Sequence, residues 1–480
     1  MSKQLLSQVI EEKKQTFTEL SDRIWGYAET RFEEKQSAEV LCQALEAEGF
    51  AVERESGGVP FAFVGTFGDG KPVIGYLGEY DALSGLSQKP GVAVRDQLVA
   101  GANGHGCGHH LLGVGALAAA VALKRYMEEH KLPGTVKYYG CPGEEGGSGK
   151  AFMAREGVFE GLDAAITWHS GSVTAVTSGS SLANIQVYYK FKGKASHAAA
   201  SPHLGRSALD AVELMNVGVN YMREHMVSEA RVHYAVVNAG GKSPNVVQPE
   251  AEVIYLIRSP KNSQVQELFA WVSDIAKGAA LMTQTELTVQ VDKACSNLIP
   301  NLTMEKIMHE NLAALPPVVP TAEEEAFAAE IRKSLGKAEL EKETKALVEN
   351  YGGAEGRKIA AELEGKSLSG AVLPHKNSEK SMMGSTDVSD VSWIVPTVQC
   401  TGSCWALGTP GHSWQQVAQG KSSWAHKGML QAAKAMAGTG LDLLTNPELL
   451  AQAKADLKEQ LAGETYQCPI PAGVNPAPVK

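Results

Sequence analysis

The stretch Asn103-Gly104-His105-Gly106-Cys107-Gly108-His109-His110 packs one thiol and three imidazoles between glycines. One residue separates Cys107 from His109, so in an extended turn both side chains lie on one side of the backbone. The glycines let that backbone bend close to an ion. A thiolate and an imidazole suit zinc or another borderline divalent cation. Alone the pair is a weak signal, and a polar turn explains it as well.

Three further stretches strengthen it. In "CPGEEGGSG", Glu144 and Glu145 follow an apolar run that reads as a strand. Adjacent carboxylates point different ways, so one can bind a metal while the other holds a water as general base. A solvated acidic loop is the plain alternative, but two acids between glycines directly after an apolar strand are poorly explained by solubility. His169 ends the strand-like "DAAITWH", and His412 lies in the turn "GTPGHSW". A single terminal His is usually a satisfied polar group, so the case rests on the set. Cysteine, histidine and glutamate residues at strand ends and glycine turns would meet at one sheet edge, in the number a pair of divalent ions needs. "GEYDALSG" adds Glu79 and Asp81 at another strand end. Asp81 could orient a metal-binding residue or simply cap the next turn.

Three more polar residues lie in a separate segment. His197 sits in a loop before a helix, Asn245 in "SPNVVQ", and Arg258 at the end of "AEVIYLIR". Arg258 could grip a carboxylate through its two-pronged guanidinium. A capping His, a turn Asn and an Arg on a strand face are the structural alternatives.

The elements that must position these residues follow from periodicity. Residues about 4–50 read as two helices, with a strand after Gly49. "KPVIGYLGEYDALSG" reads as a buried strand, "LLGVGALAAAVALKRYMEEH" as a long helix and "TVKYYGCPGEEGG" as a strand running into glycines. "KAFMAREGVF" is a short helix and "DAAITWH" another strand. This alternation implies an α/β layer with a mostly parallel sheet, whose chemistry gathers at the carboxyl ends of its strands. From about residue 184 the order becomes β-α-β-β-α-β, a ferredoxin-like unit inserted into the first domain. The expected organisation is 1–183 and 295–480 for the first domain and 184–294 for the insert. A Glu-, Lys- and Ala-rich helical insertion covers about 316–370. From "GSTDVSDVSWIVPTVQC" the chain reads as strand again, and "WAHKGMLQAAKAMAGTGLDLL" as a closing helix.

Composition narrows the function classes. The chain has 480 residues, too many for one ordinary core. A net charge of -10 without a basic run argues against nucleic-acid binding. No apolar run is long enough to span a bilayer, and the N-terminus turns acidic before any apolar stretch develops. The expected compartment is the cytoplasm. Seven scattered cysteines argue against a disulfide framework.

Together, "HGCGHH", "PGEEGG", "TWH" and "GHS", in this order and across nearly the whole chain, resemble the dinuclear-metal aminoacylase and carboxypeptidase family of metallopeptidases. The likeness is to its amidohydrolase branch. "SPHLGRSALDAV" and "STDVSDVSW" are most similar to members of that branch that cleave p-aminobenzoyl-glutamate. The resemblance implies a parallel-sheet catalytic domain carrying an inserted ferredoxin-like lid and dimerisation domain. It implies two divalent ions per subunit, manganese or zinc, held by Cys107, His109, Glu145, His169 and His412. Glu144 matches the general base, and His197 the lid histidine that reaches a partner's active site and stabilises the oxyanion. Asn245 and Arg258 match positions that hold the substrate carboxylate. The implied substrate is a small N-acyl amino acid, with p-aminobenzoyl-glutamate foremost. The implied assembly is a homodimer or a heteromer with a related subunit. Two departures stand out: His110 replaces the family's Asp, and the 316–370 stretch lengthens the chain. Three rival readings are a broader N-acyl-amino-acid or dipeptide hydrolase, a subunit active only beside a paralogue, and catalysis by Cys107 as nucleophile.

Overall fold

A computed structural model describes residues 3–378 and 380–478; Met1, Ser2, Glu379 and the last two residues of the tail lie outside the described residues. The N-terminal segment forms three helices, Gln4–Glu12, Lys14–Tyr27 and Lys35–Ala47, where periodicity suggests two. Lys13 interrupts the first at φ -98° and ψ 6°, and the helix resumes one residue later. A break that short leaves the apolar spacing unchanged, so sequence does not reveal it.

The chain then builds β1 (Ala51–Arg54), β2 (Phe63–Asp69), β3 (Val73–Glu79), β4 (Gly134–Cys141), β5 (Ala164–Gly171) and β6 (Ala175–Val176). With β11 (Thr397–Ser403) these form one sheet in the order β1-β2-β4-β3-β5-β11-β6. The pairs β4–β3, β3–β5 and β5–β11 are parallel, and the outer pairs are antiparallel. The mixed α/β architecture with a mainly parallel sheet is therefore the one expected; β2 and β6 are additional to it.

One face of the sheet is covered by the helices His109–His130 and Ser423–Thr445. The first is apolar on nearly every side, from Leu111 to Leu123, because helices and sheet enclose it. It sits very close to β3. A Cβ on Gly113 would lie 2.6 Å from the Glu79 carbonyl oxygen, so only glycine allows that approach. Trp168 Nε1 on β5 donates to the Leu112 carbonyl at 3.0 Å and fixes the helix from the other side.

A second sheet comprises β7 (Ala183–Lys192), β8 (Arg231–Asn238), β9 (Glu250–Ser259) and β10 (Glu286–Cys295). It is antiparallel with order β10-β7-β9-β8, the arrangement of a ferredoxin-like unit. Alternation decides its faces. Ile185, Val187, Tyr189, Val253, Tyr255 and Ile257 point towards the helices Ala208–Met222 and Asn262–Thr283. Asn184, Gln186 and Arg258 point the other way.

The stretch after Gly384 differs from expectation. Val388–Ser392 is a helical turn, and the strand starts only at Thr397. Polar contacts override the apolar spacing there. Asp387 accepts from Lys150 N and Nζ, and Asp390 accepts from Ser296 and Tyr466. A further helix, Pro447–Leu461, follows Ser423–Thr445, with Asn446 capping Glu448 and Leu449.

Residues 316–370 form the helices Ala322–Lys333, Lys337–Tyr351 and Gly353–Leu363. They bury Ala328, Ile331, Leu347, Ile359 and Leu363 against the neighbourhood of Leu407 and Trp424. Among the described residues no helix is long and apolar enough to cross a membrane. All seven cysteines are free thiols.

The Gly113 contact predicts the effect of a single methyl group. Gly113→Ala should destabilise the protein by about 1–3 kcal/mol, read as a lower urea midpoint. An unchanged midpoint would contradict the close helix–strand approach.

Candidate metal centre

Four parallel strands end on one edge, and each delivers part of a single cluster. The loop from β3 brings Cys107 and His109, β4 runs into Glu144 and Glu145, β5 carries His169, and the loop after β11 brings His412. This is the edge where open α/β sheets bind ligands. Gly108 makes the first turn possible. Its φ is +83°, and a Cβ there would meet Ser170 Oγ at 2.4 Å. His109 then opens its helix while Cys107 stays outside it.

Glu144 and Glu145 lie in a single irregular turn, Glu144–Gly147, where Glu145 leaves the helical region at ψ 91°. The two carboxylates therefore diverge. Asp81 anchors this turn to the histidine. Its Oδ1 lies 2.8 Å from His109 Nδ1, and its Oδ2 accepts from Glu145 N at 2.7 Å. A carboxylate on Nδ1 keeps the proton there and leaves the His109 Nε2 lone pair free. His169 is set the same way. Its Nδ1 lies 2.9 Å from the Ser170 carbonyl, and its Nε2 lies 3.3 Å from Cys107 Sγ. His412 Nε2 lies 3.1 Å from Glu145 Oε1, with its backbone N held by the Gly106 carbonyl and Gln416 Oε1.

Donor atoms of Cys107, His109 and His169 lie within 4.8 Å of one another, as do those of Cys107, Glu145 and His412. The two triads share Cys107. A third group joins Glu79, His109 and Glu144. His109 Nε2 and Glu145 Oε1 are buried and make no well-aligned hydrogen bond; each has only a neighbouring ligand atom close by, Glu79 at 3.3 Å and His412 at 3.1 Å. Unsatisfied buried acceptors are costly, and a cation among them would remove that cost. The donor set thus fits divalent metal.

Electrostatics agree. Burial pushes the Cys107 thiol up, and Glu145 and Glu144 push it further, against the pull of His109. Burial, then Glu79, Glu145 and Asp387, holds the Glu144 carboxyl well above its ordinary range. Burial opposes charge on His109, but Cys107 and Asp81 outweigh it and hold its pKa well above the usual value, so a cation taking the Nε2 lone pair displaces a proton from it. Negative charge is concentrated here beyond what the chain neutralises at the cluster itself.

Sequence reasoning missed the cation behind the site. Lys150 is fully buried, with Nζ 2.6 Å from Glu79 Oε1 and 2.5 Å from Asp387 Oδ1. The free oxygen of Glu79 lies 3.3 Å from His109 Nε2. The available signal was a lysine among buried apolar residues in "GGSGKAFM". Arg31 was also missed: it pairs with Asp292 at 3.1 Å and donates to the Gly146 carbonyl, tying the glutamate turn to β10. His110, which replaces the family's Asp, turns away. Its Nε2 lies 2.9 Å from the Gly420 carbonyl and its ring 4.8 Å from His105. Burial, then His105, depresses its pKa well below the usual value.

Of the nine candidate residues, the cluster gathers Cys107, His109, Glu144, Glu145, His169 and His412. The other three lie on the second sheet and its loops. His197 and Asn245 are exposed on adjoining loops, where Ala198 N donates to the Asn245 carbonyl. Arg258 is half-buried and donates to Ser385 Oγ at 3.2 Å.

The profile of peptidase family M20/M25/M40 matches residues 75–439. The chain belongs to this family. It is accordingly a hydrolytic, amide-cleaving and metal-dependent enzyme. It is 49 % identical over 475 residues to a p-aminobenzoyl-glutamate hydrolase subunit of Escherichia coli K12, covering 99 % of this chain and 98 % of that one. It is 28 % identical to the Xaa-Arg dipeptidase of Mus musculus over 95 % of this chain and 92 % of the relative. The crystal structure of an aminobenzoyl-glutamate utilization protein from Klebsiella pneumoniae superposes with a TM-score of 0.60 at 15 % identity, covering 91 % of this chain and 98 % of that one. That likeness shows the shared M20 fold.

Lys150 gives the prediction. Lys150→Met leaves Glu79 and Asp387 buried without their cation, at a cost of about 3–5 kcal/mol at neutral pH. Both carboxyl pKa values then lie above the unfolded value near about 4, so the cost fades as pH falls towards it. Urea midpoints should differ less from wild type at pH ~5 than at pH ~7.5. A deficit equal at both would contradict the charge account.

Proposed function

We propose that this chain hydrolyses p-aminobenzoyl-glutamate to p-aminobenzoate and glutamate, using two divalent cations, manganese or zinc, in each subunit. One observation carries the reading: two donor triads meet through Cys107 beside a further carboxylate, Glu144, in a chain so similar to a hydrolase subunit of that name. Cys107, His109, Glu145, His169 and His412 would hold the cations. When bound, these polarise the scissile carbonyl and lower the pKa of a water.

Glu144 takes the attacking water's proton and later returns it to the leaving amine. Its carboxylate stands beside the two donor triads, diverging from Glu145, where it can reach a water held there. Asp81 holds His109 in one tautomer throughout. His197 supplies a hydrogen bond to the tetrahedral oxyanion. Its Nδ1 accepts from Ala199 N and Ala200 N, which leaves the proton on Nε2 and makes that nitrogen a donor. Its exposure suits delivery to the site of a partner subunit. Arg258 and Asn245 grip the substrate carboxylate and orient the amide.

The assembly is a homodimer or a heteromer with a related chain; the subunit designation of the E. coli relative favours the second. The edge strand β8 exposes Tyr234, Val236 and Val237, which suits a subunit contact. The proposed compartment is the cytoplasm. A Cys107 nucleophile has a histidine at hydrogen-bond distance, but a nucleophilic cysteine needs a lowered thiol pKa, and burial with two nearby glutamates raises this one.

Glu144→Ala should lower kcat by about 10²- to 10⁴-fold while metal content stays at the wild-type level. Cys107→Ala should reduce metal content, measured by elemental analysis of the purified protein. Normal turnover in Glu144→Ala would end the base assignment. Hydrolysis of p-aminobenzoyl-glutamate by the purified chain, alone and then with a paralogous chain, separates an independent enzyme from a subunit that needs its partner. A panel with aliphatic and aromatic leaving amino acids separates it from a broader N-acyl-amino-acid or dipeptide hydrolase.

A further inference from the structure

The face of the second sheet that its helices leave uncovered carries one buried and one half-buried cation, Lys293 and Arg258, each bonded only to neutral groups. Residues opposite one another in register share a face. Cys295, Asn184 and Arg258 form one row across β10, β7 and β9, and Lys293 with Gln186 begins the next. Lys293 is 7 % exposed, and its ammonium donates to Asn184 Oδ1 at 2.9 Å. Asn184 Nδ2 donates in turn to Cys295 Sγ at 3.0 Å. Arg258 donates to Ser385 Oγ. Among the described residues neither Lys293 nor Arg258 forms an ion pair.

The other buried cations are neutralised. Lys150 has Glu79 and Asp387, and Arg31 has Asp292. An ammonium has three donors, and Asn184 takes one. Keeping a charge buried without a direct counter-ion is costly; burial lowers the Lys293 pKa and the Arg258 charge lowers it further, against a weaker opposing pull from Cys295, Glu144 and Asp387. β10 runs beside the turn that carries Glu144 and Glu145. Two cations without an ion pair therefore border the amide-cleaving site, and an anionic ligand would give each the direct partner it lacks.

We propose that Lys293, steered by Asn184, is a specificity-determining residue that binds the side-chain carboxylate of an acidic amino acid whose α-carboxylate is held by Arg258. The proposal rests on the p-aminobenzoyl-glutamate reading above and adds the residue that recognises the glutamate side chain. A glutamate conjugate brings two carboxylates to two cations. A glutamine conjugate turns an amide towards the ammonium and cannot neutralise it. An aliphatic side chain leaves the ammonium desolvated and unpaired. Discrimination then comes from the penalty on the wrong ligand as much as from attraction of the right one.

The test uses metal-loaded protein, with its paralogous chain where turnover requires it. It compares p-aminobenzoyl-glutamate with p-aminobenzoyl-glutamine in kcat/KM, and L-glutamate with L-glutamine in Kd by calorimetry. Wild type should favour the acid by about 10- to 100-fold in both. Lys293→Gln should bring both ratios to within about threefold, and Lys293→Arg should keep most of the preference. A wild-type ratio near one overturns the proposal without any variant. So does a Lys293→Gln protein that folds and loses activity on both conjugates equally, because Lys293 would then act through Glu144 and not on the ligand. No turnover of any conjugate, with the glutamate preference intact in calorimetry, would sink the hydrolase reading and uphold the assignment of Lys293.

Discussion

Asp81 is the carboxylate on which the geometry of the site depends. One oxygen holds the His109 ring, and the other holds the backbone N–H of Glu145. The β3 loop and the β4 turn are thereby locked together through a single side chain. Without that lock the His109 ring could take either tautomer, and the glutamate turn would lose its anchor on the β3 side. The lock works because β3 and β4 are parallel neighbours whose ends lie side by side.

A concentration of acids at one sheet edge must be balanced. Lys150 does this from behind, through Glu79 and Asp387. Its placement also explains the local fold. Asp387 reaches Lys150 only because residues after Gly384 turn into a short helix and do not run directly into β11. Arg31 balances a second direction. It joins the N-terminal segment, the glutamate turn and Asp292 on β10. Catalytic sheet and second sheet are thus joined by buried charge at the point where the proposed base stands. Lys293 and Arg258 stand outside this balance, bonded to Asn184 and Ser385 and to no acid directly.

The second sheet applies one rule to two tasks. Period-two alternation sends Ile185, Val187, Tyr255 and Ile257 into the helices and Asn184 and Arg258 towards the catalytic part. A register slip of one residue would exchange the two sets. The apolar core on one face therefore fixes the polar arrangement on the other. His197 is governed differently: backbone donors from Ala199 and Ala200 set its tautomer within its own loop.

Much of this was legible in the sequence, for a physical reason. Long periodic runs such as 109–130 and the β-α-β-β-α-β order carry their own burial pattern, and the proposed ligands stand beside glycines at strand ends, where such chemistry has to lie. Spacing also showed that Glu144 and Glu145 would diverge. It did not show the break at Lys13, the helical turn at Val388–Ser392, the partners of Lys150, or the direction of His110. Each of these depends on groups brought together from remote parts of the chain. A lysine is soluble surface or buried counter-charge according to its neighbours, and His110 faces Gly420, 310 residues away. The sequence by itself determined which donors exist and which strands present them. Only the tertiary structure decided which charges are paired and which are not, because pairing is a property of distance in space and not of distance along the chain.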